Sequence, residues 1–494
     1  MKQKTYKKML VFTIVLLFFG VTVVPTINAE NKKIEQTSKD DIYQTQIFNK
    51  DPTYELLIIT PTKFKKELMP LVAHKEKIGV STNLITLSKI YEEMYWQGRD
   101  DAEKIKYFIK TAIEEWGIEY VLLVGGKKGQ FPSWYLPVRY VNMENILESH
   151  YISDLYYADI YDAEGNFSSW DSDGDGLYGE WCYGKEPEDK DIDLNPDVAV
   201  GRLPCRNKIE VKIMVDKIIN YETNTYGQTW FYDMLVFAGD TMPEYTNQYL
   251  VGYSSISSKN AYEGEYFGDL AIDNMKGFNS YRFYTSDGTF RRQSDVIKAF
   301  SKGSGFVYFV GHGSPQMWGT YTPYGERLII GLTVWSIHRL RNRHMLPIVV
   351  LSGCHCLQFD VSIFKMFNKT TRKLMQGTLE CLGWRLTRKI GGGSIATIGQ
   401  TGLGCIREDK ESRMGGVNEL EVEFFKQYGQ NNINILGDTW TAAIKWYVNT
   451  YPVNWNTQVE SDSWPAISDS WIDAQVVESW ILFGDPSLKI GGYE

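Results

Sequence analysis

Short apolar runs alternate with amphipathic stretches through most of the chain. Residues 54–60 (YELLIIT) and 120–124 (YVLLV) are dominated by apolar side chains, with no regular polar alternation. That pattern marks strands covered on both faces, as in a parallel sheet. Between them, 63–77 and 105–116 repeat apolar positions at helical spacing, and 80–85 predicts another strand. Strand–helix alternation of this kind predicts a parallel sheet with right-handed crossovers. Residues 197–200 then run into Gly201 and Arg202, and 208–222 predicts a helix. The pattern restarts with strands over 234–238, 305–310, 346–351 and 394–398, and helices over 295–301 and 374–389. Glycines at 391–393 end the last helix. No repeat period marks a solenoid. The restart places a boundary near 225–232. The expected fold is α/β, with two side-by-side subdomains over 51–230 and 231–494.

The N-terminus changes the cellular picture. Lys2, Lys4, Lys7 and Lys8 precede an apolar run over 9–24, then Pro25 and Ala29. This order predicts a secretory signal over 1–29, the apolar run being short for a full membrane span. An uncleaved membrane anchor is the alternative, and either places the body of the protein outside the cytoplasm, secreted or at the cell surface. Residues 30–50 form a polar lead-in. The net charge of −9 argues against a nucleic-acid partner, because phosphate requires a basic face. Six cysteines in 494 residues are too few for a disulfide scaffold.

The segment IVVLSGCHCLQFD, residues 348–360, carries the chemistry. It allows a metal site, a redox pair or a nucleophile. A metal site needs further paired ligands, and neighbouring side chains of an extended segment diverge. A redox role requires a strained bond between Cys354 and Cys356. The nucleophile reading draws on more of the chain. Asp240, His312 and Cys354 each follow an apolar strand and adjoin glycine. Open parallel sheets bind ligands beyond the carboxyl ends of their strands. A cysteine needs a base there, a histidine supplies it, and a carboxylate orients the imidazole. The N–H groups of Gly313 and Cys354 are the expected oxyanion donors.

The segments FVYFVGHGSPQMWG (306–319) and PIVVLSGCHCLQFD (347–360) resemble the His and Cys blocks of the gingipain-like cysteine peptidases. LLIITPTKF, YVLLVGG, SDLYYADIYD and PDVAVGRLP resemble the non-catalytic half of that family, and GGGSIATIG and FGDPSLKI its later catalytic half. The resemblance covers nearly everything after residue 50. It implies a caspase-like fold, His312 as catalytic histidine, and Cys354 as nucleophile with the aromatic Phe359 five positions later. Cys356 lacks that spacing and is expected to pack or tune. Asp240 matches the third catalytic carboxylate, with Asp154 as its substitute. Glu265 or Asp269 falls near the acid of arginine-cleaving members, where a carboxylate pairs with a basic P1 side chain. A solvated acid in a variable loop is the plainer alternative, and Leu403 stands where some members place a tryptophan. The implied function is an exported cysteine endopeptidase acting on proteins or peptides. A transpeptidase of the same fold and an inactive calcium-binding surface module are the alternatives. No organic cofactor is implied.

A second motif, WDSDGDGLYGEW over 170–181, sets Asp171, Asp173, Asp175 and Glu180 among Gly174, Gly176 and Gly179. It resembles the first half of a calcium loop, although Cys182 occupies the position of the closing glutamate. A structural calcium ion is expected, with a plain Asp/Gly turn as the other reading.

Overall fold

The structure, a computed structural model, describes residues 53–144, 148–182, 185–241, 262–405, 415–457 and 469–494. The expected signal over 1–29 and the polar lead-in expected over 30–50 lie outside these residues. Among the described residues no helix is long and apolar enough to cross a membrane.

Strands β1 (Leu56–Thr60), β2 (Thr82–Thr86) and β3 (Tyr120–Val124) are followed by a two-residue pair, β4 (Tyr140–Val141) and β5 (Tyr151–Ile152), and by β6 (Ala199–Leu203). The second half opens with β7 (Asp233–Ala238), β8 (Asn279–Tyr284) and β9 (Phe306–Phe309). A small antiparallel sheet follows, made of β10 (His312–Ser314), β11 (Met317–Tyr321) and β12 (Leu328–Thr333). Then come β13 (Ile348–Leu351), β14 (Ala396–Gln400) and, near the end of the chain, β15 (Trp480–Phe483). The ten larger-sheet strands run in the order β2-β1-β3-β6-β15-β14-β13-β9-β7-β8. Both halves therefore share one sheet, sealed by β15 between β6 and β14.

Every residue of β1, β3, β9, β13, β14 and β15 is buried. Helices cover both faces of such strands, which explains their largely apolar sequences. β8 is an edge strand, largely exposed, and its NSYRFY sequence carries too little apolar signal to be read in advance. The helix Asp101–Trp116 begins where the Asp100 carboxylate accepts from the Glu103 N–H, and ends at Gly117 in the left-handed region. The helix Lys208–Asn224 is capped in the same way by Asn207. One expected helix fails. Of residues 374–389 only Leu382–Thr387 is α-helical. Met375 takes a positive φ of 54°, and Gly377 packs within van der Waals range of the Met366 backbone. Glu380 is instead drawn into a cluster with Arg206, Arg385 and Arg388.

Strand direction decides where a site can form. β15 pairs parallel to β6 but antiparallel to β14, while β14, β13, β9 and β7 are mutually parallel. The carboxyl ends of the first four strands therefore lie on the opposite sheet edge from those of the second half. The first half reaches the second half's carboxyl edge through its long β3–β6 connection.

Candidate active site

Phe237 of β7, Phe309 of β9 and Leu351 of β13 are in register across the sheet. Asp240, His312 and Cys354 each stand three residues beyond those partners. The parallel register thus delivers all three to one edge. β14 continues the row, since Leu351 pairs with Gly399 and the His355 N–H donates to the Gly402 carbonyl at 2.8 Å.

Glycine is obligatory where these strand ends touch. A Cβ on Gly353 would lie 2.8 Å from the Gly313 nitrogen and 2.9 Å from the His312 carbonyl carbon. A Cβ on Gly313 would lie 2.3 Å from the Cys356 Sγ. Gly353 has a φ of 153° and His355 one of 59°, so Cys354 sits between two residues of positive φ. A histidine held in the left-handed region is uncommon and persists only where its surroundings fix it.

His312 is half-buried, its ring edge-on to Tyr321 at 5.5 Å. Its Nε2 lies 2.6 Å from the Thr241 carbonyl oxygen. A carbonyl only accepts, so Nε2 carries the proton and Nδ1 keeps its lone pair. Burial pushes the imidazole below its ordinary 6.5, opposed by that hydrogen bond. Asp240 immediately precedes Thr241. It is fully buried, and its N–H donates to the Tyr321 carbonyl at 3.1 Å. The group seen to orient His312 is therefore a backbone carbonyl beside Asp240, which no side-chain motif signals.

Burial raises the Cys354 thiol above its ordinary value, and the Glu148 carboxylate adds to the rise. The Gly404 N–H opposes both, donating to Sγ at 3.2 Å. Burial thus works against the charged form of both side chains. Cys356 is fully buried beneath Gly313, and its thiol is also pushed up. All six cysteines are free. Phe359 is buried against Trp134 and Phe483.

Glu148 is the residue that sequence patterns missed. It comes from the β3–β6 connection of the first half, and its side chain is 8% exposed. Its Oε1 accepts from the Leu403 N–H at 2.7 Å, and its Oε2 lies 3.6 Å from His355 Nε2. A cavity of about 340 Å³ adjoins it, lined by Tyr151, Gln358, Asp360, Lys365 and Thr401 among others.

The other expected residues divide. Gly264, at the start of the helix Glu263–Asn274, packs on Gly239 and Thr241, so Glu265 lies at the His312 edge. Both Glu265 oxygens are taken by the Ser286 N–H and hydroxyl, at 3.0 and 2.5 Å, and burial raises the carboxyl to about 7. Asp269 turns instead to the edge strand, pairing with Arg282 at 2.7 Å and Tyr284 at 2.9 Å. Asp154 is held by Arg202 in a buried pair at 2.7–2.9 Å, a structural role in the first half. Asp171, Asp173 and Asp175 bring carboxylate oxygens within 4.8 Å of one another. Glu180 does not join them and accepts from the Cys182 thiol at 3.3 Å.

Cys354 and His312 thus stand beyond adjoining parallel strands, a placement that suits a nucleophile and its base. The profile of peptidase family C25 matches residues 49–491, and the chain belongs to that family. An uncharacterized protein of Archaeoglobus fulgidus is 23% identical over 439 residues, covering 83% of this chain and 91% of that protein. Gingipain R2 of Porphyromonas gingivalis is 22% identical over 472 residues, covering 92% of this chain. The aligned part is 50% of Gingipain R2, so the chain spans about half the length of that relative. The crystal structure of the Arg specific cysteine proteinase gingipain R superposes with a TM-score of 0.58 at 18% identity, over 90% of this chain and 79% of that one. The likeness establishes the mixed α/β, caspase-like fold.

Proposed function

We propose that the protein is an exported cysteine endopeptidase in which Cys354 is the nucleophile and His312 the general base and acid. The observation that carries this reading is the shared register of the two residues, with the His312 tautomer set by the Thr241 carbonyl. On substrate binding the thiol proton passes to His312 Nδ1, and the thiolate attacks the scissile carbonyl carbon. N–H groups at Gly313 and Cys354 hold the oxyanion. The intermediate collapses as the imidazolium protonates the departing amine, leaving a thioester on Cys354. Water, deprotonated by His312, then releases the acid and restores the thiol. Asp240, buried immediately before Thr241, is the carboxylate of this proposal. A basic P1 side chain would have to meet Glu265, whose oxygens Ser286 already engages. A substrate panel varied at P1 tests that preference.

Export rests on the basic and apolar pattern of residues 1–29, and an N-terminal sequence of the secreted product tests it. Calcium belongs to the same proposal. The converging oxygens of Asp171, Asp173 and Asp175 suit a hard cation, which would stiffen the loop, although Asp171 is also bound by Arg99 at 2.7 Å. Peptide hydrolysis by wild type, Cys354→Ala, His312→Ala and Cys356→Ala tests the mechanism. Loss of about 10³-fold or more in the first two, with Cys356→Ala active, is expected. Equal activity in Cys354→Ala would overturn the nucleophile assignment.

A further inference from the structure

We infer that Glu148, supplied by the half of the chain that carries no reacting group, is a positioning residue for the Cys354 centre. This rests on the reading of Cys354 as the nucleophile. The residue to be positioned is Gly404, whose N–H meets Sγ at 3.2 Å. Gly404 lies four residues past the end of β14, and each residue between is pinned. Thr401 is tied to the first half through its hydroxyl and the Ile152 carbonyl, and its N–H donates to the Ser479 carbonyl at 2.8 Å. Gly402 accepts from the His355 N–H, and a Cβ there would lie 3.0 Å from the Tyr151 ring and 3.1 Å from Glu148 Oε1. Leu403 donates to Glu148 Oε1 and accepts from Gln475.

Glu148 also faces the nucleophile's own turn. His355 Nδ1 lies 3.1 Å from the Thr401 carbonyl, so that nitrogen carries the proton. Burial holds the imidazole neutral, down to about 4. Nε2 therefore presents a lone pair, has no hydrogen-bond partner among the described residues, and looks at Glu148 Oε2 across 3.6 Å. One carboxylate thus lies between both segments that meet at the thiol, bonded to the one carrying its N–H donor and facing the one carrying Cys354 across 3.6 Å. The groups that face Cys354 electrostatically are Glu148 and the thiols of Cys356 and Cys405.

Glu148→Ala and Glu148→Gln separate the hydrogen-bond acceptor from the charge. The glutamine keeps an oxygen for the Leu403 N–H, and its amide N–H can donate to His355 Nε2. Two readouts are needed: steady-state peptide hydrolysis, and the pH dependence of Cys354 alkylation by iodoacetamide, located by peptide mass spectrometry. Glu148→Ala is expected to lose about 10- to 100-fold in kcat with little change in KM, the cost of a misplaced group. Glu148→Gln should restore most of that loss. It should also shift the alkylation profile to lower pH, because a negative charge near the thiol has been removed. Wild-type hydrolysis and alkylation in both variants would overturn the inference, as would a glutamine variant as impaired as the alanine one. The alkylation profile requires no turnover. Absent hydrolysis with a shifted profile would therefore end the peptidase reading and leave Glu148 in place, while intact hydrolysis with an unmoved profile would do the reverse.

Discussion

The two halves of the sheet use the same strand–helix grammar and put their ionisable groups to different work. In the first half, charges are sunk into packing. Arg202 pairs with Asp154 at no solvent exposure of the guanidinium, and Lys75 is enclosed by Glu222 at 2.8 Å and, from the second half, by Asp485 at 2.9 Å. Lys106 lies over the rings of Tyr156 and Trp170, 4.4 and 5.5 Å away. In the second half, Cys354 and His312 stay partly open at strand tips and hold back from ion pairing. The difference follows from direction. The first half's carboxyl ends lie at the far edge, so its share of the site arrives from a loop. Glu148 is that share, and buried pairs make the frame that delivers it.

The comparison breaks most severely at the glycine contact in the second half. Gly353→Ala puts a Cβ 2.8 Å from the Gly313 nitrogen at a φ of 153°, so activity should fall by more than about 100-fold. Peptide hydrolysis by the folded variant checks this. Arg202→Ala in the first half leaves Asp154 buried and unpaired, costing about 3–5 kcal/mol of stability. Denaturant unfolding measures that loss, while kcat per folded molecule stays near wild type. A full loss of kcat in the folded protein would mean the first half does more than frame the site.

A smaller effect concerns pH. His312 has its pKa lowered below 6.5, so the imidazole remains a neutral base on acidification further than an ordinary histidine does. The acid limb of kcat/KM should therefore lie below pH 6.5, and a limb above that value would deny the buried, Thr241-bonded imidazole. The smallest effect is that of calcium. Saturating calcium at ~100 Kd should add about 2.7 kcal/mol to the first half, seen as a higher Tm than in EGTA. Asp173→Ala should abolish the difference.

How much was legible depended on how each feature is encoded. Most of the buried strands announce themselves, because a strand covered on both faces is largely apolar, and 120–124 coincides with β3; β15, buried throughout, is absent from the predicted strands. The edge strand β8 and the helices Val417–Gly429 and Leu436–Thr450 are absent from the elements that the apolar pattern predicts. The helical spacing over 374–389 was outweighed by Met375, Gly377 and the pull of three arginines on Glu380. Cys354 and His312 were legible as reactive side chains beside glycine at strand ends. The Thr241 carbonyl was not, since every residue has one. Glu148 meets Leu403 across 255 residues of sequence, and only the fold could bring them together.

The most direct test of the account is labelling by a peptide bearing an electrophilic chloromethyl ketone in place of the scissile bond, followed by mass spectrometry. One label per molecule is expected on Cys354, absent in Cys354→Ala and much slower in His312→Ala. Label on Cys356 or another cysteine, or equal labelling of wild type and His312→Ala, would contradict it.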